Sequence, residues 1–139
     1  MKAARPDPKT SARMARIRQK GTKIETIVAT ALRDQGAHYR KNVKKLPGSP
    51  DFANRSKRWA VFVNGCFWHH HKGCPKATIP KSNRSFWLAK FRDNRRRDAR
   101  SITRLRQEGY RVAIIWECQE DRIQGKLTEI LKPCRVDAR

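Results

Sequence analysis

Two runs of strand-forming apolar residues, "RWAVFVN" at 58–64 and "YRVAIIW" at 110–116, constrain this chain more than any other feature in it. Each is continuous rather than alternating, so each reads as a buried strand. Between them, residues 85–108 are dominated by helix formers, and Gly109 ends that helix. Phe86, Trp87, Lys90, Asn94, Arg97 and Ser101 fall at spacings of three or four and share one of its faces. Ahead of the first strand, Ile24, Ile27, Val28, Ala31 and Leu32 recur with helical period. Thr22 and Glu25 fit a capping box and Gly36 a stop, which predicts a helix over residues 23–35. "HYRKNV" reads as a short strand, "LPGSPDF" as a turn that delivers Asp51 into extended chain, and "IQGKLTEILK" as a closing helix. Residues 65–83 lack periodicity and are expected to be loop. The basic stretch "TSARMARIRQKGTK" is only weakly periodic, and a short helix there would be capped by Thr10 or Ser11 and ended at Gly21. The sum is a mixed α/β layer fold.

Charge narrows the function. The 139 residues carry 34 Lys+Arg against 12 Asp+Glu, a formal net charge of +22. So large an excess repels itself in the folded state, and a polyanionic partner explains it most simply. Nucleic acid is favoured over a membrane surface, because no apolar run could span a bilayer and the basic residues are interleaved with aromatics. Hydrophobic residues at 37% support a globular domain rather than disorder. Residues 1–20 are basic without an apolar signal core, so a cytoplasmic location is expected. In that compartment cysteine and histidine clusters read as metal ligands before disulfides.

The stretch "NGCFWHHHKGC" at 64–74 holds two of the four cysteines and three of the four histidines. Cys66, one histidine of the triplet 69–71 and Cys74 could bind zinc from one loop, with Cys118 after the second strand as fourth ligand. A Cys/His site with every position filled is structural, because no place remains for water or substrate. The competing reading makes Cys66 and Cys118 buried thiols and leaves the histidines in solvent, but so polar a loop needs something to order it. Cys134 is left over as a free thiol.

Pro50-Asp51 stands about a dozen residues before the end of the first strand at Asn64, a spacing that resembles the PD-(D/E)xK nuclease arrangement. The second half of that motif is missing, since Phe62, Val63 and Asn64 supply neither carboxylate nor lysine. A site here would use Asp51 as a hard oxygen ligand for Mg²⁺. Glu25 and His69 would be its helpers, the histidine moving protons near neutral pH. Phe67, Trp68 and Trp87 lie in basic surroundings and could stack on bases or wedge between base steps. A satellite hydrophobic cluster under the loop is the alternative for each of the three. "FRDNRRRDARSITRLR" suits phosphate contacts, which position a protein without reading sequence.

Taken in order, "LPGSPDF", "GCFWHHH", "FWLAKFRDNRRRDARSITRLRQEGYRVAIIWEC" and an N-terminal "M..I" followed by "T.IE" resemble the very-short-patch-repair (Vsr) DNA mismatch endonucleases over residues 11–118. The resemblance implies a restriction-endonuclease-like α/β core, with a mixed central sheet flanked by helices and a structural zinc loop. It implies an enzyme that nicks one strand of duplex DNA 5′ of the T in a T:G mismatch, the product of 5-methylcytosine deamination. Carried over residue by residue, Asp51 is the Mg²⁺-binding carboxylate, His69 the catalytic histidine and Glu25 a supporting acid. Cys66, His71, Cys74 and Cys118 are the zinc ligands, with His70 as the alternative to His71 because the loop is one residue longer than the family pattern. Phe67, Trp68 and Trp87 are the wedge, and Met14, Ile17, Lys90 and Asn94 contact the mismatched pair and its groove. At Asn64 the family commonly has a second catalytic histidine. Residues 1–21 are then expected to be a basic DNA-contacting segment and 22–139 a single endonuclease domain. It would act as a monomer on mismatched duplex DNA, with repair proteins as further partners. Two other readings are a zinc-stabilised nucleic-acid-binding module without catalysis, and a related nuclease with broader mismatch or restriction-type specificity.

Overall fold

In the computed structural model, which describes residues 23–132, a four-stranded sheet lies between helices on both faces. The elements run α1 (Lys23–Asp34), β1 (Arg40–Lys41), β2 (Phe52–Asn54), β3 (Trp59–Asn64), α2 (Arg84–Gln107), β4 (Arg111–Trp116), a 3-10 turn (Glu120–Arg122) and α3 (Ile123–Leu131). Strand order follows chain order, β1-β2-β3-β4. β1, β2 and β3 pair antiparallel, as tight connections permit, whereas β3 and β4 are parallel and need the α2 crossover. Their register runs from Trp59 opposite Arg111 to Asn64 opposite Trp116.

The continuous apolar strands have a simple cause: both faces of the sheet are covered. Phe52, Trp59, Val61, Val63, Ala113 and Ile115 point to one side, where Ile24, Val28 and Leu32 of α1 and Ile123, Leu127 and Ile130 of α3 meet them. Ala53 and Ala60 point to the other side, against Leu105 of α2, Leu46 and Tyr110. Leu32 and Leu127 are fully buried, and each contributes about 1.5–3 kcal/mol by leaving water. The face predicted for α2 divides in two. Lys90, Asn94, Arg97 and Ser101 line a cleft beside the sheet, while Trp87 turns with Phe91 into a satellite cluster that includes Phe67.

The expected elements are all present within the described residues, with the first helix ending at Asp34 and only Arg40–Lys41 of "HYRKNV" forming strand. Residues 65–83 contain no helix or strand, as their lack of period predicts. Met14, Ile17 and Cys134 lie outside the described residues, as do the basic N-terminal stretch and the Thr22 cap.

Candidate active site and metal centre

Asp51 follows a turn in which any residue but glycine would be strained and crowded. Gly48 sits in the left-handed region at φ 76°, and a Cβ there would come within 2.8 Å of Ser101 Cβ and 3.0 Å of Phe62 Cε1. The "LPGSPD" turn can therefore press directly on α2 and β3. Asn42 N–H then donates to Asp51 O at 3.0 Å, and Val63 N–H donates to Asp51 Oδ2 at 2.7 Å. The carboxylate is 3% exposed and forms part of the wall of a cleft of about 330 Å³. His69, Asn64, Lys90 and Arg97 line the same cleft. Two segments distant in sequence thus bring a carboxylate and an imidazole to one opening.

His69 is held by Asp98 of α2. Its Nδ1 lies 2.6 Å from Asp98 Oδ2, and an ionised carboxylate can only accept, so Nδ1 donates. Nε2 is then the nitrogen available to take a proton. One helical turn earlier, Asn94 Nδ2 donates to the Trp68 carbonyl at 3.1 Å, and Arg97 in turn donates to Asn94 Oδ1. The loop is also clasped from β4: Cys66 N–H donates to Glu117 Oε1 at 3.0 Å, and Glu117 N–H to Asn64 O at 3.1 Å. Asp98 and Glu117 were not singled out from sequence. A signal for Asp98 existed, since it stands four residues after Asn94 and thus on the same side of α2.

Glu25 is buried in the first turn of α1 at 7% exposure and is not among the residues lining the cleft. Of the three expected wedge aromatics, Phe67 and Trp87 are 5% and 4% exposed. They pack with Phe91 in the satellite cluster, ring centroids 5.2–6.3 Å apart. The apolar alternative describes these two in the free protein, and the Phe67 side chain is not on the surface. Trp68 is half-buried, edge-on to Phe67, and lines the cleft.

At the other end of the loop Cys66, His71, Cys74 and Cys118 gather with their ligand atoms all within 4.8 Å of one another. His71 Nδ1 lies 3.4 Å from Cys118 Sγ and 3.7 Å from Cys66 Sγ. A zinc tetrahedron with bonds of ~2.3 Å to sulfur and ~2.0–2.1 Å to nitrogen has edges of roughly 3.5–3.8 Å, so the donor set fits such an ion. Burial above all pushes the Cys66 thiol up to about 12, so an ion entering there must displace a proton. The Cys74 thiol is lowered, chiefly by a hydrogen bond from the Lys76 backbone. His71 stacks flat on Trp116, centroids 4.0 Å apart at 6°, and the turn carrying Cys118 is pinned by Gln119 N–H on Trp116 O at 2.8 Å. Cys118 is exposed rather than buried, because it lies past the end of β4. His70 takes no part in this cluster. Burial, foremost, and the nearby Arg95 charge lower its pKa.

The chain has clear relatives. A family model described as DNA mismatch endonuclease Vsr matches residues 5–76. The type II nicking enzyme V.XorIIP of Xanthomonas oryzae pv. oryzae is 40% identical over 86% of this chain and 90% of its own length. The type II nicking enzyme V.NmeAIP of Neisseria meningitidis is 43% identical over 76% of this chain and 75% of its own. The DNA mismatch endonuclease Vsr of Escherichia coli is 43% identical over 78% of this chain and 69% of its own. No helix among the described residues is long and apolar enough to cross a membrane. A cleft that pairs a buried carboxylate with a carboxylate-held histidine, a four-ligand Cys/His cluster beside it, and these matches lead to one assignment: the protein belongs to the Vsr family of DNA mismatch endonucleases.

Proposed function

We propose that this protein is a Mg²⁺-dependent endonuclease that nicks one strand of duplex DNA 5′ of the T in a T:G mismatch, and that its Cys/His cluster holds a structural zinc ion. The observation that carries the reading is the meeting of Asp51 and His69 in one cleft, with Asp98 fixing the imidazole. Asp51 would hold Mg²⁺, since a buried carboxylate opening on a polar cleft suits a hard cation that keeps most of its waters. Such an ion, when bound, supplies charge stabilisation at the scissile phosphate and a more acidic water.

The chain's own groups do the rest. Lys90 and Arg97 draw the phosphate backbone into the cleft. His69 Nε2 accepts or returns the proton of the attacking water or leaving oxygen, while Asp98 keeps the ring in the right tautomer. Asn64, neutral at every pH, can orient a water or phosphate oxygen there but cannot relay a proton. Glu25 supports the site from the buried side of α1 rather than from the cleft wall. Met14, Ile17, Trp68, Lys90 and Asn94 meet the DNA first. Phe67 and Trp87 join the wedge only when the satellite cluster opens, at a mismatch that costs less to unstack than a matched pair. The sheet with helices on both faces is read as a restriction-endonuclease-like core. Residues 1–21 are read as a DNA-contacting arm on a single cytoplasmic, monomeric domain, with repair proteins as downstream partners.

A panel of duplexes carrying each mismatch in varied flanks, incubated with Mg²⁺, tests the reading. The expected result is a single nick 5′ of the T in T:G, with Asp51→Asn reduced by about 10³-fold or more. Salt-sensitive binding without a nick would instead make the protein a non-catalytic binding module. Equal nicking across the panel would assign a broader or restriction-type specificity.

A further inference from the structure

Three turns in this protein close with the same pair of backbone hydrogen bonds. After α1, Ala37 N–H donates to Leu32 O and Gly36 N–H to Arg33 O, both at 2.9 Å. After α2, Tyr110 N–H donates to Leu105 O and Gly109 N–H to Arg106 O, both at 3.0 Å. In the loop between β3 and α2, His71 N–H donates to Cys66 O at 2.9 Å and His70 N–H to Phe67 O at 3.1 Å. This six-residue closure requires its fifth residue to be left-handed. In the first two turns that residue is glycine, with φ 73° and 88°, and in the third it is His70, with φ 48°.

A histidine in glycine's place is held there against its own preference, so the surroundings of the ring must over-determine it. The ring lies flat on Phe91, centroids 4.4 Å apart at 5°. Its Nε2 is buried without a hydrogen-bond partner among the described residues, and the ring's one polar tie is a hydrogen bond to the Ala77 backbone. Trp68 and His69, the two residues before it, dock on the same helix through Asn94 and Asp98. Phe91, Asn94 and Asp98 form one stripe of α2, at intervals of three and four residues. Directly after His70 the chain leaves that helix, and His71 stacks on Trp116 of β4 beside Cys118.

We propose that His70 is a positioning residue: its left-handed backbone, which a glycine would keep, turns the chain towards His71 and the cysteine cluster, while its ring, docked on Phe91, holds His69 in line with Asp98 in the cleft. Its imidazole acts as a flat aromatic plug, neither metal ligand nor proton carrier. The consequence for catalysis rests on the cleft being the nicking site.

Two variants separate ring from backbone. His70→Gly keeps, and eases, the left-handed turn but removes the plug; His70→Phe keeps the plug and gives up the hydrogen bond to Ala77. With metal-loaded protein and a T:G duplex, His70→Gly should lose about ten- to a hundredfold in kcat with KM nearly unchanged, because His69 is no longer held in line. Its metal content should match the parent, because the turn that carries His71 is kept. His70→Phe should keep kcat within about threefold, as expected when only a shape has been conserved. Parent-like nicking by His70→Gly would overturn the proposal, as would loss of metal from it, or a His70→Phe as slow as His70→Gly. Should the parent itself fail to nick, the nitrogen-15 shifts of His69 read the pivot directly. The Nδ1-protonated form should persist in His70→Phe and give way to a tautomer mixture in His70→Gly, and identical spectra in the two would sink the idea.

Discussion

The loop between β3 and α2 serves two sites of opposite construction. At the Cys/His cluster four side chains from residues 66 to 118 converge until their ligand atoms lie within 4.8 Å of one another, which leaves no position for a substrate. In the neighbouring cleft Asp51, His69 and Lys90 face an open space of about 330 Å³ and are held from behind by Val63 N–H and Asp98. A closed donor set stabilises structure, whereas an open one with supported side chains performs chemistry. The loop connects them, and on the proposed function the closed site would be the anchor against which the open one is aligned.

That comparison can be broken most severely at its anchor. Cys66→Ser, or removal of the metal by a strong chelator, should abolish metal binding and nicking together and lower Tm by roughly 10 °C or more, since binding energy of a structural ion is folding energy. Metal analysis, calorimetry and the nicking assay on one sample measure all three. Asp51→Asn should do the converse, losing nicking while metal content and Tm stay close to the parent, because the carboxamide oxygen still accepts from Val63 N–H. A smaller effect is expected at Asp98→Asn. Its amide can no longer stabilise a protonated His69, so kcat should fall by about 10–10²-fold with KM and metal content unchanged. Smallest in rate but visible in stability is Gly48→Ala. The clash with Ser101 and the left-handed backbone should cost about 1–3 kcal/mol in denaturant unfolding, with a partial loss of nicking as Asp51 shifts.

Much of this molecule is legible in its order of residues. Helical period in residues 24–32 and unbroken apolar runs at 59–63 and 112–116 report burial directly, because neighbours a few residues apart share one environment. The cysteines also announce themselves, since Cys66, Cys74 and Cys118 have few other uses in so basic a chain. Local pattern does not say which member of "HHH" meets them. His71 does so because the backbone reverses at His70, whose ring stacks on Phe91, twenty-one residues away in the chain. Phe67 and Trp87 look like surface aromatics beside so many lysines and arginines, yet they bury each other with Phe91. Glu25 reads both as part of a helix cap and as a supporting acid, and local pattern does not choose between the two.

Sequence thus carries the class of fold, the need for a polyanionic partner and the inventory of chemical groups, because composition and short-range periodicity are local properties. Folding supplies the pairings: β3 beside β4, Asp98 on His69, Glu117 on Cys66, and Asp51 in one cleft with an imidazole. Each pairing joins residues brought together by burial of distant apolar surface, and hydrogen bonds of a few ångströms cannot be read from a chain until that burial has chosen its neighbours.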